Sequence, residues 1–210
     1  MPRTPVLDTV RPAVRLVARA YFGTRFEGVE HIPTDGPLLI TPNHVTYADP
    51  ALVSIPVRRP VYYMAWSALF RIPVFATCIR RLRAFPVEIE TADPRATRET
   101  VRILDAGEAV MIFPEAGRTL DGRLQPFRLG AFRLACSRGV PVLPVTIHGG
   151  YEAWPPGRRL PRPGRITITY HPPVKPPGGS DTRTVARELS RLVREAVASA
   201  LPPAQRGEDP

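Results

Sequence analysis

Residues 37–50 read PLLITPNHVTYADP. An apolar run, Pro37 to Thr41, gives way to a polar turn, and Asp49-Pro50 then opens a helix, because aspartate caps a helix N-terminus and proline is tolerated at its first position. A strand passing into a helix through a polar turn is the repeating unit of an α/β sheet, and the carboxyl end of such a strand is a favoured site position. The rest of the chain repeats the unit. Strand-like runs lie near Pro37–Thr41, Val61–Met64, Ala84–Val87, Ala109–Phe113, Val142–Ile147 and Ile166–Tyr170. Helical patterns lie near Pro50–Val57, Pro73–Arg81, Pro94–Ala106, Phe127–Arg138 and Thr182–Ala200. The class is α/β, neither all-helical nor all-strand.

A chain of 210 residues that is 43% apolar supports one domain with a substantial core and leaves little room for a second. Its net charge is +10, and 28 of its 29 basic residues are arginine, Lys175 being the exception. Such a balance points to an anionic partner, which nucleic acid, anionic lipid and phosphorylated small molecules would all satisfy. No nucleic-acid-binding signature accompanies the charge, and the arginines lack interleaved aromatic residues, so no nucleic-acid partner is expected. Of the 27 prolines, eight fall between Pro155 and Pro177 and the others punctuate apolar runs where turns and helix starts belong. Cys78 and Cys136 stand apart with no metal-ligand spacing and read as ordinary buried thiols. The start of the chain has no apolar export signal, which makes the cytoplasmic side the expected compartment.

Residues 5–22 place Leu7, Val10, Val14, Val17 and Tyr21 at helical steps of three and four, flanked by Arg11, Arg15 and Arg19. That pattern fits a helix lying in an anionic membrane interface, and equally one docked on the protein's own core. Pro12 either begins or kinks it. The apolar stretch Val61–Ile79 is interrupted by Arg71 and Pro73, so no segment reads as membrane-spanning. The expected organisation is an amphipathic membrane-interface helix over 1–23, a catalytic domain over 24–201 and a disordered tail over 202–210.

Two segments carry candidate chemistry. Histidine is the side chain best suited to accept a proton near neutral pH, and a neighbouring carboxylate fixes its tautomer and stabilises the imidazolium. On a continuous helix His44 and Asp49 would diverge by about 140°, so the turn between them has to bring them together. Read alone, the same residues describe a capped helix start and a loop histidine. The second segment, Phe113-Pro114-Glu115-Ala116-Gly117-Arg118-Thr119, also follows a strand, and its arginine offers a planar fork to phosphate or carboxylate. Alone it is equally a proline-glycine turn with solvated charges.

Taken together and in order, these segments resemble the glycerophospholipid acyltransferases, the family of 1-acylglycerol-3-phosphate acyltransferase. Asn43-His44 through Asp49 resembles its NHx4D motif. Phe113 to Thr119 resembles FPEGTRS with Ala116 for Gly, Gly117 for Thr and Thr119 for Ser. Pro126 to Ala131 resembles its FKxG segment and Val140 to Val145 its VPVxPV block, so the likeness runs from about Tyr21 to Val174. It implies a single-domain mixed sheet flanked by helices, of the glycerol-3-phosphate acyltransferase type. It further implies transfer of a fatty acyl group from acyl-CoA or acyl carrier protein to the hydroxyl of the lysophospholipid 1-acylglycerol-3-phosphate, a step of phospholipid biosynthesis, at a membrane surface carrying anionic lipids. His44 would be the general base and Asp49 its orienter, with Asn43, Arg83, Glu115, Gly117, Arg118 and Thr119 binding substrate. The thioester serves as co-substrate, and no metal or prosthetic group is expected. The chain contains no G-x-S-x-G elbow, in keeping with direct attack by the acceptor. One block departs from the family pattern: where G-x-I-x-V-x-R carries the acceptor-phosphate arginine, this chain has Arg83 to Ile89, with Ile89 at the arginine position. The headgroup contact then falls to Arg80, Arg81, Arg83 or Arg118, or the acceptor is a different lipid. The implied location is peripheral, on the cytoplasmic face of the cell membrane.

Overall fold

The computed structural model describes residues 5–88, 93–179 and 181–207, with side chains described from residue 11. Seven strands form one sheet: β1 (Arg25–Glu27), β2 (Leu38–Pro42), β3 (Val61–Trp66), β4 (Ala84–Val87), β5 (Ala109–Met111), β6 (Val142–His148) and β7 (Thr167–Tyr170). Their order is β1-β7-β6-β2-β5-β3-β4. The five from β6 to β4 run parallel, whereas β7 pairs antiparallel with β6 and carries β1 parallel to itself, which makes the sheet mixed. β2 is buried along its whole length because strands flank it and helices cover both faces, which is why it reads as an unbroken apolar run.

The helices are α1 (Pro5–Phe22), α2 (Asp49–Ser54), α3 (Pro73–Arg81), α4 (Pro94–Asp105), α5 (Gly130–Arg138), α6 (Gly150–Ala153) and α7 (Thr182–Ser199). Leu38 and Ile40 of β2 face a core closed by Ala18 and Phe22 of α1 and by Leu52 and Val53 of α2. Leu39, one residue out of phase, faces a second core closed by Ile103 and Leu104 of α4, Phe132 of α5 and Leu189 of α7. Local chemistry sets the ends. Asp93 and Asp181 cap α4 and α7 by accepting from the first free N–H groups, and Gly139 ends α5 in the left-handed conformation.

The structure departs from the sequence reading in several places. Strand β1 is too short for a periodic signal, and it exists because Phe22 and Arg25 trade backbone hydrogen bonds with Ile166. The docked face of α1 is Val14, Ala18 and Phe22, spaced by four, while Leu16 points outward, Val17 borders an open groove towards α2, and Tyr21 is partly exposed with its hydroxyl donated to the Pro161 carbonyl. A small alanine packs closest where the periodicity favoured valine. The helix runs through Pro12 and shares the main core. Its Leu7 and Val10 lie outside the described side chains. Cys78 is exposed and Cys136 only partly buried, against the expectation of two buried thiols. The expected disordered tail is ordered over residues 202–207: Pro203–Gln205 forms a 3-10 turn, Leu124 donates its N–H to the Gln205 carbonyl, and the Gln205 amide reaches Glu152. Residues 208–210 lie outside the described set.

Candidate active site

His44 leaves the carboxyl edge of β2 in a tight turn whose hub is Asp49. The Asp49 carboxylate is fully buried at the start of α2. Its Oδ2 accepts from the backbone N–H groups of Val45 at 2.7 Å and Thr46 at 2.8 Å, and its Oδ1 from the Thr46 hydroxyl at 2.6 Å. His44 Nδ1 lies 2.8 Å from the same Oδ2. A carboxylate only accepts, so Nδ1 carries a proton, and in the neutral imidazole Nε2 is the nitrogen with the free lone pair. The turn thus closes the angular gap that a continuous helix would have left between the two side chains. The imidazole also stacks on Phe113, with ring centroids 4.0 Å apart and planes 24° from parallel.

The second segment supports the first. Glu115 bridges two loops, one carboxylate oxygen accepting the His44 N–H at 2.6 Å and the other the Gln125 N–H at 2.8 Å. Burial pushes its carboxyl up to about 8; the two backbone hydrogen bonds and Arg194 pull it down, and nearby Asp49 adds to the rise. Thr119 donates its N–H to the His44 carbonyl, so the histidine backbone is held at both ends. Ala116 sits at φ 57°, a left-handed conformation that costs alanine roughly 1–2 kcal/mol and glycine nothing. Arg118 lies over the Tyr47 ring at 3.5 Å, and its Nη1 is buried without a hydrogen-bond partner among the described residues. A guanidinium N–H so placed is an open donor for an anion.

The expected substrate-binding residues therefore divide. Arg118 and the exposed Gly117 remain at the surface of the site. Asn43, Glu115 and Thr119 are turned inward. Asn43 is buried and spends its amide on β6, giving a hydrogen bond to the Ile147 carbonyl at 3.0 Å and receiving one from the Ile147 N–H at 2.7 Å. Arg83 is not in the site at all. It precedes β4, level with Leu39 and three strands away from β2, roughly 15 Å across the sheet and near its amino edge. Its guanidinium binds the Tyr62 hydroxyl at 2.6 Å. Arg80 and Arg81 end α3 next to it, because a helix joining parallel strands returns to the amino edge. Ile89 lies outside the described residues. Sequence reasoning missed Phe113, Thr46 and Tyr47 as parts of the site, although all three lie inside the segments it singled out.

An apolar groove of about 300 Å³ runs between α1 and α2, lined by Val14, Val17, Phe22, Ala48, Ala51 and Leu52 among others. Among the described residues, no helix is long and apolar enough to cross a membrane.

The family model described as Acyltransferase matches residues 23–148, which contain His44, Asp49 and the whole second segment. The chain belongs to the acyltransferase family. A chloroplastic 1-acyl-sn-glycerol-3-phosphate acyltransferase of Brassica napus is 28% identical over 183 residues, 84% of this chain and 52% of that protein. One from Chlamydomonas reinhardtii is 31% identical, covering 81% of this chain and 50% of its own length. The chain thus spans about half the length of these curated relatives. The Bacillus subtilis enzyme is 24% identical across 77% of this chain and 79% of its own. The crystal structure of PlsC, the 1-acyl-sn-glycerophosphate acyltransferase of Thermotoga maritima, superposes with a TM-score of 0.76 at 28% identity, covering 93% of this chain and 80% of that one. The chain shares its single mixed α/β sheet flanked by helices with PlsC.

Proposed function

We propose that this acyltransferase moves a fatty acyl group from acyl-CoA or acyl carrier protein to the hydroxyl of 1-acylglycerol-3-phosphate, a step of phospholipid synthesis. The observation that carries the reading is the 2.8 Å contact between His44 Nδ1 and Asp49 Oδ2, which makes Nε2 the basic nitrogen of the neutral ring, at the carboxyl edge of the sheet. Nε2 takes the acceptor's hydroxyl proton as the oxygen attacks the thioester carbonyl, and Asp49 stabilises the imidazolium that forms. The tetrahedral intermediate collapses to the ester with loss of the thiolate, to which the imidazolium returns the proton. A thioester is already activated, so the base is the principal chemical demand and no metal or prosthetic group is called for. Arg118, stacked on Tyr47 with a buried N–H that no described residue satisfies, suits the phosphate of donor or acceptor. The groove between α1 and α2 suits an acyl chain. The outward Leu16 of α1, beside the exposed Arg15 and Arg19, suits the interface of a membrane with anionic lipids, with the enzyme peripheral on its cytoplasmic face.

A second reading keeps the chemistry and changes the acceptor. It is favoured by Ile89 at the position of the family's acceptor arginine and by the placement of Arg83 at the far edge of the sheet. Incubating the protein with one labelled acyl donor and a panel of lysophospholipids, then identifying products by mass spectrometry, separates the two. The first reading requires lysophosphatidate to be acylated fastest, and a wide preference for an acceptor without a terminal phosphate monoester establishes the second.

A further inference from the structure

Between Asp49 and Glu88 the chain contains six arginines and no carboxylate. At the centre of this stretch, β3 ends at Trp66, a 3-10 turn follows over Ser67–Arg71, and α3 returns to β4. This connection is hardly docked on the protein, since Ala76 is the single buried residue of α3. Trp66 is 51% exposed, Ile72 54%, Val74 85% and Phe75 44%, four large apolar side chains within ten residues. Arg71 lies among them in the chain, and Arg80, further along α3, reaches back over the Phe70 ring at 5.4 Å. An apolar patch with cations of one sign around it is uncommon on a protein that meets only water.

The patch also lies where a lipid-handling site would need it. β3 runs parallel to β2 through β5, so Trp66 and the 3-10 turn emerge at the edge of the sheet from which His44 projects. The steps from β2 to β3 and from β3 to β4 go the same way along the sheet, and right-handed crossovers therefore put α3 on the face that holds α2. That face also carries α1 and the apolar groove.

We propose that the segment from Trp66 to Arg81 is a docking surface for an anionic bilayer, through which the acyltransferase seats its catalytic edge on the membrane. The proposal rests on the lipid-substrate reading above and adds the surface that executes it. Charge complementarity selects the occupant: arginines suit anionic headgroups, while a tryptophan and aliphatic side chains suit the boundary beneath them. The most exposed member, Val74, is aliphatic and needs no matching pocket in a fluid bilayer, whereas an acidic carrier protein would engage the arginines and leave Ile72 and Val74 unmatched.

The test is sedimentation of the full chain with vesicles of phosphatidylcholine alone or enriched in phosphatidylglycerol, for wild type and the double variant Val74→Glu, Phe75→Glu. Wild type is expected to bind the anionic vesicles in a salt-sensitive way, and the variant to bind at least roughly tenfold more weakly. Transfer between short-chain, fully dissolved substrates should be the same in both proteins, which verifies the variant's fold. As a second measurement, Trp154→Phe leaves Trp66 as the one tryptophan, and its emission should shift to the blue with anionic vesicles. Equal vesicle binding by the double variant, or Trp66 emission unmoved while the protein is bound, overturns the proposal. So does a variant that loses productive use of acyl carrier protein while keeping its vesicle binding. Absence of any transfer by wild type on dissolved substrates would instead overturn the acyl-transfer reading, leaving the vesicle result to decide the docking surface separately.

Discussion

Replacing Asp49 by asparagine separates what the carboxylate does for the turn from what it does for chemistry. In the native turn Oδ2 receives Val45 N–H, Thr46 N–H and His44 Nδ1–H, and Oδ1 receives the Thr46 hydroxyl. Asparagine keeps an acceptor at the Oδ2 position and puts its amide nitrogen at Oδ1, where the Thr46 oxygen can accept instead. The geometry survives while charge-assisted bonds become neutral ones of about half the strength, and relief of the buried charge offsets part of that loss. The expected destabilisation is about 1–3 kcal/mol by urea denaturation. Turnover should suffer much more, because the imidazolium loses its counter-charge: kcat is expected to fall by roughly 10²- to 10⁴-fold with KM little changed. Asp49→Ala is the contrast. It strands buried donors at about 1–3 kcal/mol each, a large part of the roughly 5–15 kcal/mol that holds a domain together, and is expected not to fold stably. An Asp49→Asn enzyme within tenfold of wild-type kcat would refute the role assigned to the carboxylate.

Three further predictions follow from the same contacts. Ala116→Gly relieves the positive φ and should raise stability by roughly 0.5–1 kcal/mol in urea denaturation, after the extra unfolded-state freedom of glycine is set against the strain. Glu115 holds its proton in the folded chain up to about pH 8 and releases it near the ordinary value of 4.5 when unfolded, so its contribution to stability is full below 4.5 and lost as pH rises towards 8; Glu115→Gln should flatten that fall in denaturation measured across the window, and an unchanged slope counts against the assignment. Arg83→Ala should leave the acceptor KM within about twofold of wild type, because its guanidinium serves Tyr62 at the far edge of the sheet; a KM raised severalfold contradicts that placement.

How far the sequence could be read follows from the range of each interaction. The strand, turn and helix around residues 38–54 are legible because their signals are local, an apolar run and a proline at the helix start, although Asp49 is the first helical residue rather than its cap and turns its carboxylate back to Val45 and Thr46. The pairing of His44 with Asp49 lies within one turn and is legible for the same reason. What Asn43 and Glu115 do is not, since it depends on Ile147 and Gln125, partners brought near by the order of strands and the return of a loop. Both carry polar atoms in a motif beside His44 and look like substrate ligands until those partners are known. Arg83 misleads in the opposite way. It is close to the site in sequence order, but a parallel strand begins at the edge of the sheet away from His44. The face of α1 is misread because a periodicity of large apolar residues ranks Val17 above Ala18, whereas close packing against Leu52 and its neighbours favours the smaller side chain.

The central claim, that His44 deprotonates a lipid hydroxyl for direct attack on a thioester, is tested most directly by the rate at which purified wild type and His44→Ala form diacyl product from labelled acyl thioester and a lysophospholipid in anionic vesicles. The account predicts product from wild type and a loss of roughly 10²-fold or more in the variant, with the fold intact by circular dichroism. Undiminished transfer by His44→Ala would contradict it.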